Sequence, residues 1–204
     1  MNEEVKRVLK KPFFNGLKDG IPIGLGYLAV SFSIGLTARN VRMSVFQGFL
    51  MSFFNNASAG EVAGVSAMSD GVTYITAALI ILVTNARYIL MSCAMSQKFS
   101  PETGLFHRML VGYDVTDEIF GVAVSEPGKL NPFYNYGMMT VAVPGWSLGT
   151  FFGVIMGNIL PANIVSALSV GLYGMFLAII IPPARKSKVI AALEIGRASC
   201  RERV

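Results

Sequence analysis

The longest charge-free stretch of this sequence covers residues 130–184, LNPFYNYGMMTVAVPGWSLGTFFGVIMGNILPANIVSALSVGLYGMFLAIIIPPA. These 55 positions contain no Asp, Glu, Lys, Arg or His. Because about 20 apolar residues cross the hydrocarbon core of a bilayer, the stretch is long enough for two membrane spans. The turn between them is predicted at Pro161, Ala162 and Asn163. The sequence is therefore that of an integral membrane protein.

The composition of the whole chain agrees with this interpretation. Hydrophobic residues make up 53% and charged residues 14% of the 204 positions, whereas charged residues form about 25% of a typical soluble protein. The net charge of +5 indicates anchoring by Lys and Arg at the cytoplasmic membrane surface rather than nucleic-acid binding. Two cysteines, Cys93 and Cys200, and one histidine, His107, support neither a disulfide framework nor a zinc site.

Apolar segments separated by charged ones predict an all-α fold, a polytopic membrane helical bundle of about six spans. The predicted spans are residues 21–38, 43–68, 72–97, 105–125, 133–159 and 164–182. The second contains the polar patch 55–61 and the fourth contains three carboxylates, so these two are predicted to be broken or re-entrant. Basic residues at both chain ends predict that both termini face the cytoplasm.

The chain divides into three regions. Residues 1–20 form a basic cytoplasmic N-terminus, and residues 21–190 form the transmembrane permease domain. The last residues, 194–204 (EIGRASCRERV), are polar and follow an Ala-rich stretch abruptly, so we interpret them as a non-native tail and exclude them from fold reasoning. We expect the native chain to continue instead with a further apolar segment.

Glycines recur at four-residue spacing in the first and fifth predicted spans. Residues four apart share one face of a helix, so each trio forms a groove that a second helix can approach closely. Packing within the chain and a docking surface for another subunit would both use such grooves. The helix-packing glycines are Gly16, Gly20, Gly24, Gly149, Gly153 and Gly157.

Polar and ionisable residues at membrane depth are the candidate functional residues. A charge at the centre of a span costs about 2.5–3.5 kcal/mol and normally faces a cavity or a partner. The small and amide residues before Glu61 predict unwound backbone of the kind with which transporters bind substrate charges. Alternatively, Glu61 lies near an interface and Arg87 extends to the membrane surface. The candidate substrate-binding residues are Asn55, Asn56, Ser58, Gly60, Glu61, Asn85 and Arg87.

Three carboxylates, Asp114, Asp117 and Glu118, stand at positions i, i+3 and i+4 of the fourth predicted span. In a continuous helix this spacing places them on one face. Mutual repulsion makes such a group bind a proton more readily than isolated carboxylates do, so the three are candidate proton-coupling residues. Pairing with Arg87, or a solvated helix end, would equally explain their presence.

Motifs of enzymes and nucleotide-binding proteins are absent from the sequence. It contains no H-E-x-x-H, G-x-S-x-G or Walker pattern. Residues 24–29 match G-x-G-x-x-A, but they lie inside an apolar span rather than after a strand. We therefore predict that the protein is not an enzyme and that it binds no metal ion, cofactor or nucleic acid.

Several of the same positions carry a family resemblance. The motifs are FNGLKDGIPIGLGY (residues 14–27), LMS (50–52), SAGE (58–61), TNARY (84–88), TDEIF (116–120) and PGWSLGT (144–150). In this order and spacing they resemble the AzlC family, the large subunits of bacterial branched-chain amino acid exporters of the azaleucine-resistance type. Glu61 departs from the family pattern, in which many members carry Gln.

The resemblance implies a secondary transporter that exports leucine, valine, isoleucine or similar amino acids across the bacterial plasma membrane. Its implied partner is a small AzlD-type membrane subunit, and protons are the expected coupling ion. An amino acid needs an acceptor for its ammonium, predicted to be Glu61 with Asn55 and Asn56. Its carboxylate needs donors, predicted to be Asn85, Arg87 or a half-helix N-terminus. The alternative is a membrane scaffold or channel-like subunit, which the glycine grooves would also serve.

Overall fold

The computed structural model describes residues 3–157, with side chains from residue 10 onward. Within that range the chain is helical, which confirms the predicted all-α class, and the one strand-like feature is an isolated bridge between Phe99 and Leu130. The predicted sixth span, the end of the fifth and the tail at 194–204 lie outside the described residues. The helices are α1 (Glu3–Asn40), α2 (Val45–Asn55), α3 (Ser58–Ser69), α4 (Tyr74–Thr84), α5 (Arg87–Lys98), α6 (Leu105–Tyr113), α7 (Asp117–Ser125) and α8 (Pro132–Met156).

Helices α1 and α8 are each long and apolar enough to cross a bilayer alone. Helix α1 runs from Glu3 without interruption through the boundary that we predicted at residue 20. The charged lead-in continues the helix because Glu, Lys, Arg and Leu all have high helix propensity. Pro12 and Pro22 lie inside the helix.

Close packing of α1 against α8 depends on glycine. A Cβ atom on Gly20 would lie 2.8 Å from the Cα of Met138, and one on Gly145 would lie 2.5 Å from the carbonyl oxygen of Gly24. These separations are shorter than van der Waals contact, so the two backbones approach each other as only glycine allows. The structure places all six predicted helix-packing glycines against the opposite helix: Gly16, Gly20, Gly24, Gly149, Gly153 and Gly157.

The six shorter helices form three broken pairs. The α2–α3 break falls at Asn56 and Ala57, and the α6–α7 break falls at residues 114–116, which confirms that the second and fourth predicted spans are interrupted. The third predicted span, expected to be continuous, is also broken: α4 and α5 meet at Asn85 and Ala86 with a bend of 46°. This bent pair is the third candidate span within residues 3–157.

Local sequence explains where these short helices start and stop. Ser44 and Gln47 form a capping box at the start of α2, which satisfies two backbone N–H groups that have no partner inside the helix. Asn56 ends α2 with a left-handed backbone, φ 42°, a conformation that Asn adopts more readily than most residues. Thr116 caps α7 by accepting a hydrogen bond from the Ile119 backbone N–H.

Candidate functional site

The three helix breaks meet at one place in the molecule. The Nδ2 of Asn56, at the α2–α3 break, donates a hydrogen bond to Asp114 at the α6–α7 break. Arg87, the first residue of α5, forms an ion pair with Asp117, the first residue of α7, with 2.8 Å between Nη1 and Oδ2. Helices α3, α5 and α7 therefore all begin at the same polar centre.

A narrow cavity lies at this centre, beside the two long helices. It has room for about one water molecule, so it is closed to a ligand of amino-acid size in this conformation. Helix α1, helix α8, the α2–α3 and α6–α7 breaks and the first turn of α5 contribute side chains to its wall. The lining residues are Tyr27, Val30, Asn56, Ser58, Tyr88, Thr116, Asp117, Glu118 and Trp146.

Asn85, at the α4–α5 break, packs directly against the start of α3. A Cβ atom on Gly60 would lie 2.5 Å from the Asn85 Nδ2, so a side chain at position 60 would displace the amide. Nδ2 of Asn85 is 3.5 Å from Oδ1 of Asn55. The Asn85 Oδ1 is buried without a hydrogen-bond partner among residues 10–157, which leaves an acceptor available to a group that enters here.

A hydrogen-bonded cluster joins α1 to the start of α7. The Tyr27 hydroxyl donates to Oε2 of Glu118 at 2.6 Å and also lies against the Thr116 hydroxyl. The Tyr27 ring packs edge-on against Trp146 of α8, with 5.2 Å between ring centroids. Because Tyr27, Trp146 and Glu118 all line the cavity, movement of α7 would change its shape directly.

Glu61 lies behind the cavity wall and does not line the cavity. Its side chain is completely buried. Oε1 accepts a hydrogen bond from the Trp146 indole N–H at 2.6 Å, and Oε2 accepts one from the Ser52 hydroxyl at 2.7 Å. Within residues 10–157 the one ion pair is that of Arg87 and Asp117, so no Lys or Arg of that range neutralises Glu61.

The prediction that Asp114, Asp117 and Glu118 share one helical face is wrong. Asp114 follows the last residue of α6, whereas Asp117 and Glu118 begin α7. The helix breaks because Thr116 caps α7 and competes with continued helix formation. Pairing of Asp117 with Arg87, one of the predicted alternatives, is confirmed.

The predicted grouping of Glu61 with Asn55 and Asn56 is also wrong. Glu61 accepts hydrogen bonds from Ser52 and Trp146. The side chain of Asn55 contacts Asn85, and that of Asn56 contacts Asp114. The left-handed backbone at Asn56 turns α2 into α3, so residues adjacent in sequence point to different neighbours. Glu61 is thereby separated from the cavity that Asn56 lines.

Sequence reasoning missed several neutral residues of the site. Tyr27, Trp146, Ser52, Thr150 and Thr116 carry no charge, so a search for ionisable groups at membrane depth does not select them. All five lie within the motifs that carry the family resemblance. The family motifs therefore could have identified these five residues as candidates.

A helical bundle with long apolar spans and broken helices that meet at a polar centre is the architecture of a polytopic membrane protein. Comparison with known sequences gives the particular family. The sequence pattern described as AzlC protein matches residues 22–160, more than half of the chain, and the chain belongs to this family.

Two relatives are membrane proteins by name. The chain is 28% identical over 186 residues to an uncharacterized membrane protein of Archaeoglobus fulgidus, covering 90% of this chain and 81% of that protein. It is 25% identical over 150 residues to the inner membrane protein YgaZ of Escherichia coli strain K12, covering 72% of this chain and 61% of YgaZ. No solved structure matches the chain.

Proposed function

We propose that this protein is a secondary transporter that exports branched-chain amino acids across the bacterial plasma membrane. The observation that carries the proposal is the convergence of three half-helices and an ion pair on one closed cavity. Broken helices at a central site are the usual means by which transporters bind charged substrates. Family membership supports the same class of function.

The substrate carboxylate would bind where α3 begins, beside Arg87. The first backbone N–H groups of a helix have no partner within the helix, and its N-terminus carries partial positive charge. The start of α3 lies at the cavity, and Arg87 adds a full positive charge beside it. At the start of α5 the N–H groups of Tyr88 and Ile89 already donate to the carbonyls of Asn85 and Ala86. The amide of Asn85 and the hydroxyl of Ser58 are further polar groups within the same region.

The substrate ammonium would bind to Asp117 and Glu118, which line the cavity. An entering amino acid would replace the Arg87–Asp117 ion pair with two new ones, its carboxylate on Arg87 and its ammonium on Asp117. This exchange keeps both protein charges paired throughout. Val30 and the aromatic rings of Tyr27, Tyr88 and Trp146 would surround a branched apolar side chain.

Transport would require the closed cavity to open by movement of the half-helices. Helix α4 contains no buried residue, and Met95 is the one buried residue of α5. Elements with so few buried contacts are the ones that move at low energetic cost. The pair formed by α1 and α8 would stay in place while α4, α5 and α7 shift around it.

The complete transporter would contain a small AzlD-type membrane subunit, with the N-terminus of the present chain in the cytoplasm. Substrate would cross unchanged, so the protein would act without enzymatic chemistry or a cofactor. The alternative of a membrane scaffold or channel-like subunit has less support from the structure than from the sequence. Its main basis was the glycine grooves, and those of α1 and α8 are filled by each other.

Efflux of labelled amino acids tests the proposal directly. Cells that co-express the chain with an AzlD-type subunit should release preloaded leucine, valine or isoleucine faster than cells with the small subunit alone. Arg87→Gln should abolish this increase. Lys11→Gln removes an exposed charge near the start of α1, about 24 Å along the helix from Tyr27 at the cavity, and should preserve the increase. Equal efflux of all three amino acids with and without the chain would refute the proposal.

A further inference from the structure

Glu61, like Asp114, is a carboxylate of the central region that neither lines the cavity nor contacts another charged group. Unlike Asp114, whose Oδ2 has no hydrogen-bond partner among residues 10–157, Glu61 has a donor for each of its oxygens. Its two oxygens accept hydrogen bonds from Trp146 and Ser52, both neutral. A buried carboxylate without a countercharge is strongly disfavoured, and binding one proton removes the charge. We propose that Glu61 is the proton-binding residue of the transport cycle, an inference that rests on the proposed function and names its coupling ion.

The groups that face Glu61 from the neighbouring helices are all uncharged. Helix α2 contributes Ser52, and α8 contributes Trp146 and Thr150. Helix α1 contributes the Ser31 carbonyl behind Thr150, and the α4–α5 break contributes Asn85 against Gly60. Nearby titratable groups have partners of their own, as follows: Glu118 with Tyr27, Asp114 with Asn56, and Asp117 with Arg87.

The hydroxyl groups beside Glu61 can serve both of its protonation states. The Ser52 hydroxyl is within donor distance of Glu61 Oε2, at 2.7 Å, and of Thr150 Oγ1, at 2.6 Å, yet it has one proton. With Glu61 charged, Ser52 donates to the carboxylate. With Glu61 protonated, the new O–H donates to Ser52, Ser52 donates to Thr150, and Thr150 donates to the Ser31 carbonyl at 3.2 Å.

This rearrangement balances the hydrogen bonds as well as the charge. One proton from water joins one carboxylate oxygen, and each hydroxyl rotates without gaining or losing a proton. No donor or acceptor in the chain Glu61, Ser52, Thr150 and Ser31 loses its last partner in either state. A network that merely held a charged carboxylate in place would not need the second arrangement.

Trp146 connects the charge of Glu61 to the cavity. Its indole N–H donates to Glu61 Oε1, while its ring packs on Tyr27 and lines the cavity. A hydrogen bond to an ionised acceptor is roughly twice as strong as one to a neutral acceptor. Protonation of Glu61 therefore loosens Trp146, and with it one wall of the cavity.

Trp146 is the only tryptophan of the chain, so its fluorescence reports on Glu61 without any transport assay. In detergent-solubilised protein we expect one emission transition between about pH 4 and pH 9, the range that covers most shifted carboxylates. Glu61→Gln, which imitates the protonated state, should abolish the transition. Glu118→Gln should retain it, and Ser52→Ala should move its midpoint because the carboxylate loses a donor.

His107, the only histidine of the sequence, belongs to another part of the molecule. Its ring contacts Phe133 and Tyr136 near the start of α8, and ten residues of helix, about 15 Å, separate Tyr136 from Trp146. His107→Gln is therefore a control that should leave the transition unchanged. Glu61→Gln must elute as a single peak in size-exclusion chromatography to be interpreted, and Ser52→Ala provides the second test.

Constant emission of the wild-type protein over this range would overturn the proposal. So would a transition that survives Glu61→Gln, disappears with Glu118→Gln or is unmoved by Ser52→Ala. If the transition follows Glu61 but no amino acid is exported, the proposed substrate fails and the proton site stands. In proteoliposomes, Glu61→Gln should also lose export driven by a pH gradient while keeping exchange of labelled for unlabelled amino acid.

Discussion

Backbone polar groups are treated differently in two regions of the molecule. One region is the pair formed by α1 and α8, and the other is the three broken helix pairs. Helix α8 has twelve buried residues and packs through glycines onto α1, whereas α4 has none. Continuous helices satisfy their own backbone groups, so they can be packed backbone to backbone. Broken helices leave N–H groups without a partner at their starts, and here the starts of α3 and α7 both lie at one cavity.

This difference assigns separate tasks to the two regions. The close contact between α1 and α8 leaves no space for rearrangement, because glycine already provides the shortest possible approach. The broken pairs hold the ion pair, the amides and most of the carboxylates, and several of their segments have few buried side chains. We infer that the α1–α8 pair is the fixed frame and that the broken pairs are the moving, substrate-contacting part.

The largest expected effect comes from adding one methyl group within the frame. A Cβ atom at Gly149 would lie 2.5 Å from the Leu28 carbonyl oxygen, and this backbone atom cannot turn aside. Gly149→Ala should therefore cost about 3 kcal/mol, the upper range for overpacking a core. Thermal unfolding followed by size-exclusion chromatography in detergent measures the loss.

The matched control for this substitution lies in a broken pair. Gly121 of α7 has no atom within 4 Å of an added Cβ, and Ala has a helix propensity better than that of Gly by up to about 1 kcal/mol. Gly121→Ala should therefore be neutral or stabilising. If the two alanine variants unfold at the same temperature, α1 and α8 are not the rigid frame.

The second prediction distinguishes a structural ion pair from a substrate-binding one. Arg87 and Asp117 are partly exposed, so either Arg87→Gln or Asp117→Asn should change stability by less than about 1 kcal/mol. Each should nevertheless reduce amino acid export at least about tenfold, which corresponds to about 1.4 kcal/mol of lost transition-state stabilisation. Initial rates of labelled efflux, normalised to protein in the membrane, give this number.

Exchanging the two charges completes the test. The double variant Arg87→Asp with Asp117→Arg restores an ion pair between α5 and α7 but moves the positive charge from the start of α5 to the start of α7. Stability should return to the wild-type value while export remains lost. Recovery of export would mean that the pair only joins the two half-helices.

The third prediction concerns the backbone of the α2–α3 break. Asn56 has φ 42°, and a left-handed conformation costs roughly 1–2 kcal/mol for a residue that has a Cβ atom. Asn56→Ala should therefore be less stable than Asn56→Gly by about 1 kcal/mol, although both lose the hydrogen bond to Asp114. Equal unfolding temperatures of the two variants would contradict the left-handed break.

The smallest expected effect is at the start of α2, away from the cavity. Ser44→Ala removes the side-chain cap of an exposed helix start and should cost about 0.5 kcal/mol of stability, the lower end of the range for a cap. Export should be unchanged, since the substitution leaves the three helix breaks intact. If export is lost while the amount of folded protein is unchanged, the start of α2 also takes part in transport, and the prediction is wrong.

Local patterns account for the parts of the fold that were predicted correctly. The length of apolar segments determines which of them cross a membrane, and four-residue glycine spacing determines a groove on one helix face. The polar patch at 55–61 and the carboxylates of the fourth span indicated breaks because such groups are costly in a continuous lipid-facing helix. The break at Asn85 was missed because one Asn is a weak signal and the nearby Arg87 can also be accommodated in a continuous span by extending to the membrane surface.

The sequence by itself thus determined the membrane class, the two glycine-lined helices, two of the three breaks and most of the polar residues of the site. Only the tertiary structure decided which polar residues form hydrogen bonds with each other. Tyr27 reaches Glu118 across 91 residues of sequence, Trp146 reaches Glu61 across 85, and Asn56 reaches Asp114 across 58. Helical periodicity specifies a face within one helix but not the partner of that face, because partner and rotation are set by how separate helices pack. For that reason the carboxylates predicted to act together have three different partners, and Glu61 lies behind the cavity rather than in it.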